Sequence, residues 1–348
     1  MPERVALGVV GYGWFAELLH ERVLKRLPRL EVTALCELDE VRRRRGTEHL
    51  EVPGYATAEA MLDAEVCDAV AIFTPHSTHR ELVELSASRG RHVFCEKAMA
   101  VTSEDCVAMI SASQVAGVEL MVGHMQKLFP PYARLAELVR GGTYGAPVAV
   151  QVSGFHWSPV FEGWWRRRRD CGGLLYWTGI HDIDTLRHVL ASEVDTVFAM
   201  TGPTTDDYTD YEDAIAVVMR HTNGAIASLQ VAQHDPLKRF EEAFSMSVVC
   251  EHGGVAFDPK RNVVVHAARD GLSAQGTVVE AFAPHEDSMF VAYAAEFRHF
   301  VEVVLDKVPS RLSGEDGLRC VETLEAITTS AQRDRPVTVS RALMEVAR

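Results

Sequence analysis

The stretch Val5-Ala-Leu-Gly-Val-Val-Gly-Tyr-Gly-Trp-Phe-Ala16 decides the fold. Its first half is a continuous apolar run of the length of a buried parallel strand. Gly11 permits a tight turn out of that strand, and Gly13 lets the backbone approach a bound group with no side chain in the way. Ala16 holds the third position, where a small residue allows close helix–strand packing. A helix from roughly Trp14 to Leu27, stopped by Pro28, would aim its N-terminal amides at the turn. The spacing therefore predicts a cradle for a pyrophosphate, with Tyr12, Trp14 and Phe15 beside it. The next strand, Glu31–Cys36, ends in Glu37, about 20 residues past the turn, where a carboxylate accepts from ribose hydroxyls and repels a 2′-phosphate. The expected ligand is NAD; NADP stays open because the run Arg42–Arg45 could hold an extra phosphate. The competing reading is a glycine turn with no ligand.

Outward from this stretch, the pattern to about Gly123 alternates short apolar strands with helical segments. Strands are expected at Val5–Val10, Val32–Cys36, Ala69–Phe73, His92–Cys95 and Glu119–Val122. Helices are expected at Ala58–Leu62, His79–Ser88 and Ser103–Ala116. Such alternation is the signature of a doubly wound parallel sheet, which binds ligands at the carboxyl ends of its strands. Gly11, Glu37, Thr74 and Lys97 all lie just past strand ends.

Beyond Gly123 the pattern changes to a helix at Pro130–Arg140 and then β-rich stretches separated by turns. One turn is Asn223-Gly224, a strong hairpin signal because both positions tolerate positive φ. Helices at His181–Leu190 and Met289–Leu305 would cover one face of a mostly antiparallel sheet. The expected organisation is thus α/β: a dinucleotide-binding domain over residues 1–123 and an α+β domain over 124–348, for substrate binding and oligomerisation.

Composition excludes several classes. The chain has 348 residues, 47% hydrophobic and 24% charged, as a globular protein of about two domains does. No apolar run approaches the ~20 residues a membrane-spanning helix needs, and the immediate entry into a strand leaves no room for a secretory leader. A net charge of −14 disfavours nucleic acid. The arginine run Arg166–Arg169, like Arg42–Arg45, reads first as a solvated basic patch, although it could hold a phosphate or sugar-nucleotide diphosphate. Seven cysteines without a Cys-x-x-Cys predict reduced thiols in the cytoplasm and no structural metal site; Cys171 is the one expected in an exposed loop.

Two residues stand out for proton chemistry. Lys97 follows Cys95-Glu96 at a strand tip, and a desolvated amine beside a nicotinamide would have a lowered pKa and could trade a proton with a substrate oxygen. The plain alternative is a surface lysine paired with Glu96. His181 opens a helix after the glycine-bearing stretch Gly172–Ile180, and imidazole is the natural acid/base near neutral pH. Thr74-Pro75 and His79 form a loop that could touch the nicotinamide end of the ligand, or merely cap a helix with Ser77 or Thr78. Trp157, Trp165 and Trp177 could stack on a sugar ring, or be core and oligomer contacts.

With these residues in view, the chain resembles the glucose–fructose oxidoreductase / inositol dehydrogenase family of NAD(P)-dependent enzymes over nearly its whole length. The matching elements are Gly11–Ala16, Thr74-Pro75 with His79, Glu96-Lys97, and Gly172-Gly173 leading to Gly179-Ile-His-Asp-Ile-Asp184. The resemblance implies a Rossmann domain, an open-faced sheet often used for oligomerisation as a homodimer or homotetramer, and Lys97 and His181 acting on a secondary alcohol or ketone. The substrate would be a sugar, cyclitol or nucleotide-linked sugar. Three departures are visible: Ala98 where the family usually has proline, Trp177 where it has an aspartate, and Met125-Gln126-Lys127 where it has an Asn/Gln–Arg–Arg run. Lys127 and Asp182 are therefore expected to contact substrate, Asp182 standing in for the missing carboxylate; the plain alternative for Asp182, as for Asp184, is a first-turn residue complementing the helix dipole. Two alternatives remain beside a dehydrogenase: a cofactor-bound sensor or scaffold without turnover, and an enzyme whose redox step is transient and whose cofactor is recycled in place.

Overall fold

The computed structural model describes residues 4–155, 163–204, 209–233, 244–269 and 276–342. Trp157 lies outside the described residues. Two compact units divide the chain.

The first unit runs through β1 (Val5–Val10), α1 (Trp14–Arg22), β2 (Leu30–Cys36), α2 (Glu40–Leu50), β3 (Gly54–Tyr55) and α3 (Ala58–Asp63). It continues with β4 (Ala69–Ile72), α4 (His79–Ser88), β5 (His92–Cys95), α5 (Ser103–Ala116) and β6 (Leu120–Val122). The six strands form one parallel sheet in the order β3-β2-β1-β4-β5-β6. This is the expected doubly wound arrangement, with order reversing between β1 and β4. Every residue of β4 is buried, as a strand covered on both faces requires. Asp39, Thr57 and Thr102 cap α2, α3 and α5 through their side chains, while α1 has no side-chain cap. The expected helix from Trp14 to Leu27 ends early, at Arg22, and a 3-10 turn over Leu24–Arg26 completes the path.

The expected cut at 123/124 is too simple. The first unit gathers the chain up to His124 with the distant segment Tyr293–Val321. The reason is apolar: Phe297 and Phe300 pack on Phe94 of β5, with ring centroids 4.3 and 5.8 Å away. A backbone bond from Val122 N–H to Leu312 O, 2.9 Å, ties the same segment to β6.

The second unit takes Met125–Ala292 and Glu322–Arg341. Its elements begin with α6 (Pro130–Arg140), β7 (Pro147–Phe155), a single turn α7 (Arg168–Cys171) and α8 (Ile180–Leu190). The strands β8 (Val194–Thr201), β9 (Ala214–His221), β10 (Ile226–Ala232), β11 (Phe244–Cys250), β12 (Gly253–Asp258), β13 (Val263–Ala268) and β14 (Thr277–Ala281) follow. The chain closes with α9 (His285–Asp306), α10 (Gly314–Arg333) and β15 (Val337–Thr338). Among the described residues nine strands make one sheet in the order β14-β13-β12-β11-β7-β10-β9-β8-β15. All pairings are antiparallel except β7 with β10. Asn223-Gly224 is the expected hairpin, with Gly224 at φ +89°. Along β9 buried and exposed residues alternate, so one face of the sheet is apolar-packed and the other open. Helices α6 and α8 pack on the covered face. The helix expected over Met289–Leu305 starts earlier, at His285, and from Tyr293 onward belongs to the first unit instead.

Candidate active site

The turn after β1 is built to be approached. Gly11 sits at φ +87°, and a Cβ there would lie 2.9 Å from the Phe73 carbonyl oxygen, so a side chain would both strain the backbone and collide with it. A Cβ on Gly13 would meet nothing within 4 Å. Gly13 is the N-cap of α1 and offers no side-chain acceptor to the amides that open that helix. Open space in front of uncapped helix amides fits a pyrophosphate. Trp14 is 55% exposed beside the turn, and Phe15 is held edge-on by Phe73 and Tyr293 at 6.2 and 5.6 Å. Tyr12 departs from expectation. Its ring is buried over Gly46, where a Cβ would crowd it at 2.8 Å, and its hydroxyl lies 2.7 Å from His49 Nδ1. Tyr12 thus contributes only backbone to the turn.

Glu37 sits at the tip of β2, 7% exposed. Its Oε2 accepts the Tyr12 N–H at 2.8 Å, and its Oε1 accepts the Asp39 N–H at 2.9 Å and Arg42 at 3.1 Å. One carboxylate therefore bridges the phosphate turn and the start of α2, with lone-pair capacity left for a ribose hydroxyl. The neighbouring arginines have partners of their own: Arg43 donates to the Glu37 carbonyl, Arg44 to Glu48 and Arg45 to Glu17.

Lys97 lies past β5, half-buried, with its N–H donating to Glu96 Oε2 at 3.0 Å. Burial pulls the Lys97 amine below the usual lysine range and pushes the Glu96 carboxyl above its own. Thr74 and Thr78 share a hydroxyl–hydroxyl bond of 2.8 Å across the β4–α4 loop. His79 does not face open space as a cofactor contact would. It is fully buried, with Nε2 3.0 Å from Thr74 O and Nδ1 3.0 and 3.1 Å from the carbonyls of Ala98 and Met99. Its work is to join two loops. The Lys97–Ala98 peptide is cis.

In the second unit, Gly172 and Gly173 have φ +88° and +104°, and a Cβ on either would strike the Tyr176 ring or the Arg168 guanidinium. This loop delivers the chain into a π-helical turn, Leu175–Gly179, that runs straight into α8. Such turns recur at functional sites because the extra residue re-aims the side chains around it. His181 stands on the first turn of α8, partly exposed. Trp177 is buried, with Trp165 edge-on at 6.0 Å, and Trp164 stacks on Trp165 at 3.7 Å. The Tyr211 hydroxyl donates to the Trp165 carbonyl at 3.0 Å.

Two residues expected at substrate are enclosed instead. Asp182 is wholly buried, its Oδ2 3.3 Å from where a Cβ on Gly154 would stand, and burial raises its pKa to about 7. Lys127 is 6% exposed and bonded to Asp184 at 3.2 Å. Asp184 also meets Arg187, which grips Glu193 through two bonds of 2.7 Å. Both expectations came from a motif position alone, which fixes a residue's place along a helix but not the face it turns to the core. Cys171 is likewise buried, not exposed, and burial pushes its thiol up to about 11. The second arginine run is largely engaged: Arg167 and Arg169 with Asp170, Arg168 with Glu212. Sequence reasoning passed over Tyr293 and His76. The first lies some 280 residues from Phe15, which it touches; the second was visible in the loop, but its partner, a backbone N–H, carries no sequence signal.

The model of the oxidoreductase family with an NAD-binding Rossmann fold matches residues 5–124, and that of the GFO/IDH/MocA C-terminal domain matches residues 132–256. The chain is 29% identical to the 2,7-anhydro-N-acetylneuraminate hydratase of Escherichia coli K12, over 64% of this chain and 60% of that one. It is 26% identical to the myo-inositol 2-dehydrogenase of Thermotoga maritima, over 97% and 99%. Among solved structures, GenD2 from gentamicin A biosynthesis in complex with NAD superposes with a TM-score of 0.86 at 25% identity, covering 98% of each chain.

Proposed function

The chain belongs to the GFO/IDH/MocA family of NAD-binding oxidoreductases, and from that premise we propose that it moves hydride between NAD and a secondary alcohol or ketone carbon of a sugar, cyclitol or nucleotide-linked sugar. Bound NAD supplies the two-electron acceptor or donor. The side chains supply the proton route and the walls. Lys97 carries the reading: a half-buried amine, its pKa pulled down by burial, stands past a strand end of the same sheet as Gly11 and Glu37. It is suited to hydrogen-bond a carbinol oxygen and exchange its proton near neutral pH. His181 is the second proton-handling group. Glu37 takes the ribose hydroxyls, and Thr74, Pro75 and Glu96 line the nicotinamide end. Trp165 offers a ring face to the sugar, while Trp177, Asp182 and Lys127 support that wall from within. The cyclitol class draws support from the myo-inositol 2-dehydrogenase relative.

The test is Lys97→Met assayed on a panel of sugars and cyclitols. Turnover should fall about 10³-fold, as for loss of a general acid/base, while NAD affinity by calorimetry stays within about threefold. A fully active variant removes Lys97 from the chemistry. A second reading, transient redox with cofactor recycled in place, draws support from the relative named a hydratase, since hydration makes no net redox change. Substrate loss without accumulating NADH would select it.

Buried free thiols at all seven cysteines support a reducing, cytoplasmic setting. Among the described residues no helix is long and apolar enough to cross a membrane. Exposed Met200, Val218, Ile226 and Val249 on the second sheet support a homodimer or homotetramer, which light scattering would count.

A further inference from the structure

Lys97 is flanked on both sides by backbone N–H groups that end on side chains. Its own N–H donates to Glu96 Oε2 at 3.0 Å, and the next one, on Ala98, donates to His76 Nε2 at 3.2 Å. The Ala98 N–H lies in the same peptide plane as the Lys97 carbonyl. Whatever holds it therefore fixes the backbone from which the Lys97 side chain departs. His76 is only 2% exposed, on the one-turn 3-10 helix His76–Thr78 that follows Pro75. His79, its ring 5.7 Å away, addresses the other end of the same residue, the Ala98 carbonyl, at 3.0 Å. Two imidazoles, one from the β4–α4 loop and one at the start of α4, thus hold Ala98, itself fully buried, by its N–H and its C=O. The Nε2 of His76 must present a lone pair for this, which places the ring proton on Nδ1. A proline at position 98 would have no N–H to offer and would leave His76 without this role.

We propose that His76 is a positioning residue for Lys97, acting through the Ala98 amide. The proposal rests on the reading of Lys97 as the catalytic amine. In this chain a side chain-to-backbone hydrogen bond does the orienting that a ring at position 98 would do by rigidity.

The test uses full-length protein carrying His76→Leu, His76→Gln, Ala98→Pro, and His76→Leu combined with Ala98→Pro. One readout is the rate at which an amine-acylating reagent labels Lys97 in the substrate-free protein, followed by peptide mass spectrometry. The other is kcat and KM on an accepted polyol, with NAD affinity measured by calorimetry. His76→Leu should change the labelling rate and lower kcat about tenfold, the size of one lost buried hydrogen bond, with NAD affinity within about threefold. His76→Gln can place an amide oxygen near the site of Nε2 and should recover both to within about threefold. With proline at 98 there is no N–H to lose, so adding His76→Leu should change neither by more than about twofold. Equal losses with alanine or proline at 98, no loss in either, or no rescue by glutamine would overturn the proposal. If His76→Leu does not fold, the glutamine variant against the proline one decides. If Lys97→Met keeps its turnover, the functional reading of Lys97 fails, while the labelling rates still report whether His76 sets its geometry.

Discussion

Each unit buries a carboxyl group beside the residues proposed for chemistry, and the two are treated in opposite ways. Glu37, in the first, accepts two backbone N–H groups and an arginine. Asp182, in the second, has the Gln126 amide as its polar neighbour, and burial dominates, carrying its pKa to about 7. The same chemical group ties two backbone segments together in one place and is enclosed with few donors in the other. Burial with few donors favours the protonated carboxyl at Asp182, whereas the oxygens of Glu37 are spent on backbone N–H bonds. Fixing the carboxylate in this way suits a cofactor cradle, which must be set before its ligand arrives.

The strongest way to break the contrast is to make Asp182 permanently neutral. Its folded pKa of about 7 lies above the ~3.9 of an unfolded aspartate. Between these values the folded state binds more protons, so stability drains away as pH rises from about 4 to 7 and then levels off. Asp182→Asn lacks this penalty. Its stability relative to the native chain should climb over that window, by up to about 4 kcal/mol, in urea melts run at several pH values. A constant difference would show that Asp182 is not held neutral. Next in size is Gly11→Ala, which should cost about 3 kcal/mol through positive φ and crowding of the Phe73 carbonyl, visible as a lowered Tm and lost NAD binding. Glu37→Ala orphans the Tyr12 and Asp39 amides and should cost about 2 kcal/mol in stability, with NAD affinity down at least about tenfold by calorimetry. The smallest change belongs to Arg42→Ala. Arg42 is half-exposed, so its loss should cost under about 1 kcal/mol; a larger loss would mean that Glu37 depends on that charge more than on its backbone donors.

Much of the first unit was legible because its signals are local. Four buried residues in β4 and the Gly11 turn each announce themselves within a few positions. Helix α2 was not, since Glu40-Val-Arg-Arg-Arg-Arg-Gly carries no apolar stripe and only Asp39 marks its start. Strand β12 hid behind Gly253-Gly254, which reads as a turn; the Tyr144 ring occupies the space a Cβ on Gly253 would need. At the site, Gly11, Glu37 and Lys97 stand past strand ends as the pattern required. Which way Tyr12, Lys127 and Asp182 face was set by packing partners distant in the chain, His49, Asp184 and Gly154, and no spacing rule reports those.

The return of Tyr293–Val321 to the first unit bears on how the protein is made. Phe94 of β5 has Phe73 at 6.4 Å from the start, but its partners at 4.3 and 5.8 Å, Phe297 and Phe300, come only when that later segment has been synthesised. About 200 residues separate Phe94 from Phe297, on the order of 10–40 s of translation at ~5–20 residues per second. Through that interval the amino-terminal sheet waits on the ribosome with one aromatic face uncovered, a natural client for a chaperone. A chain released early, before residue 293, would carry its nucleotide turn and still lack the cover that keeps it from aggregating.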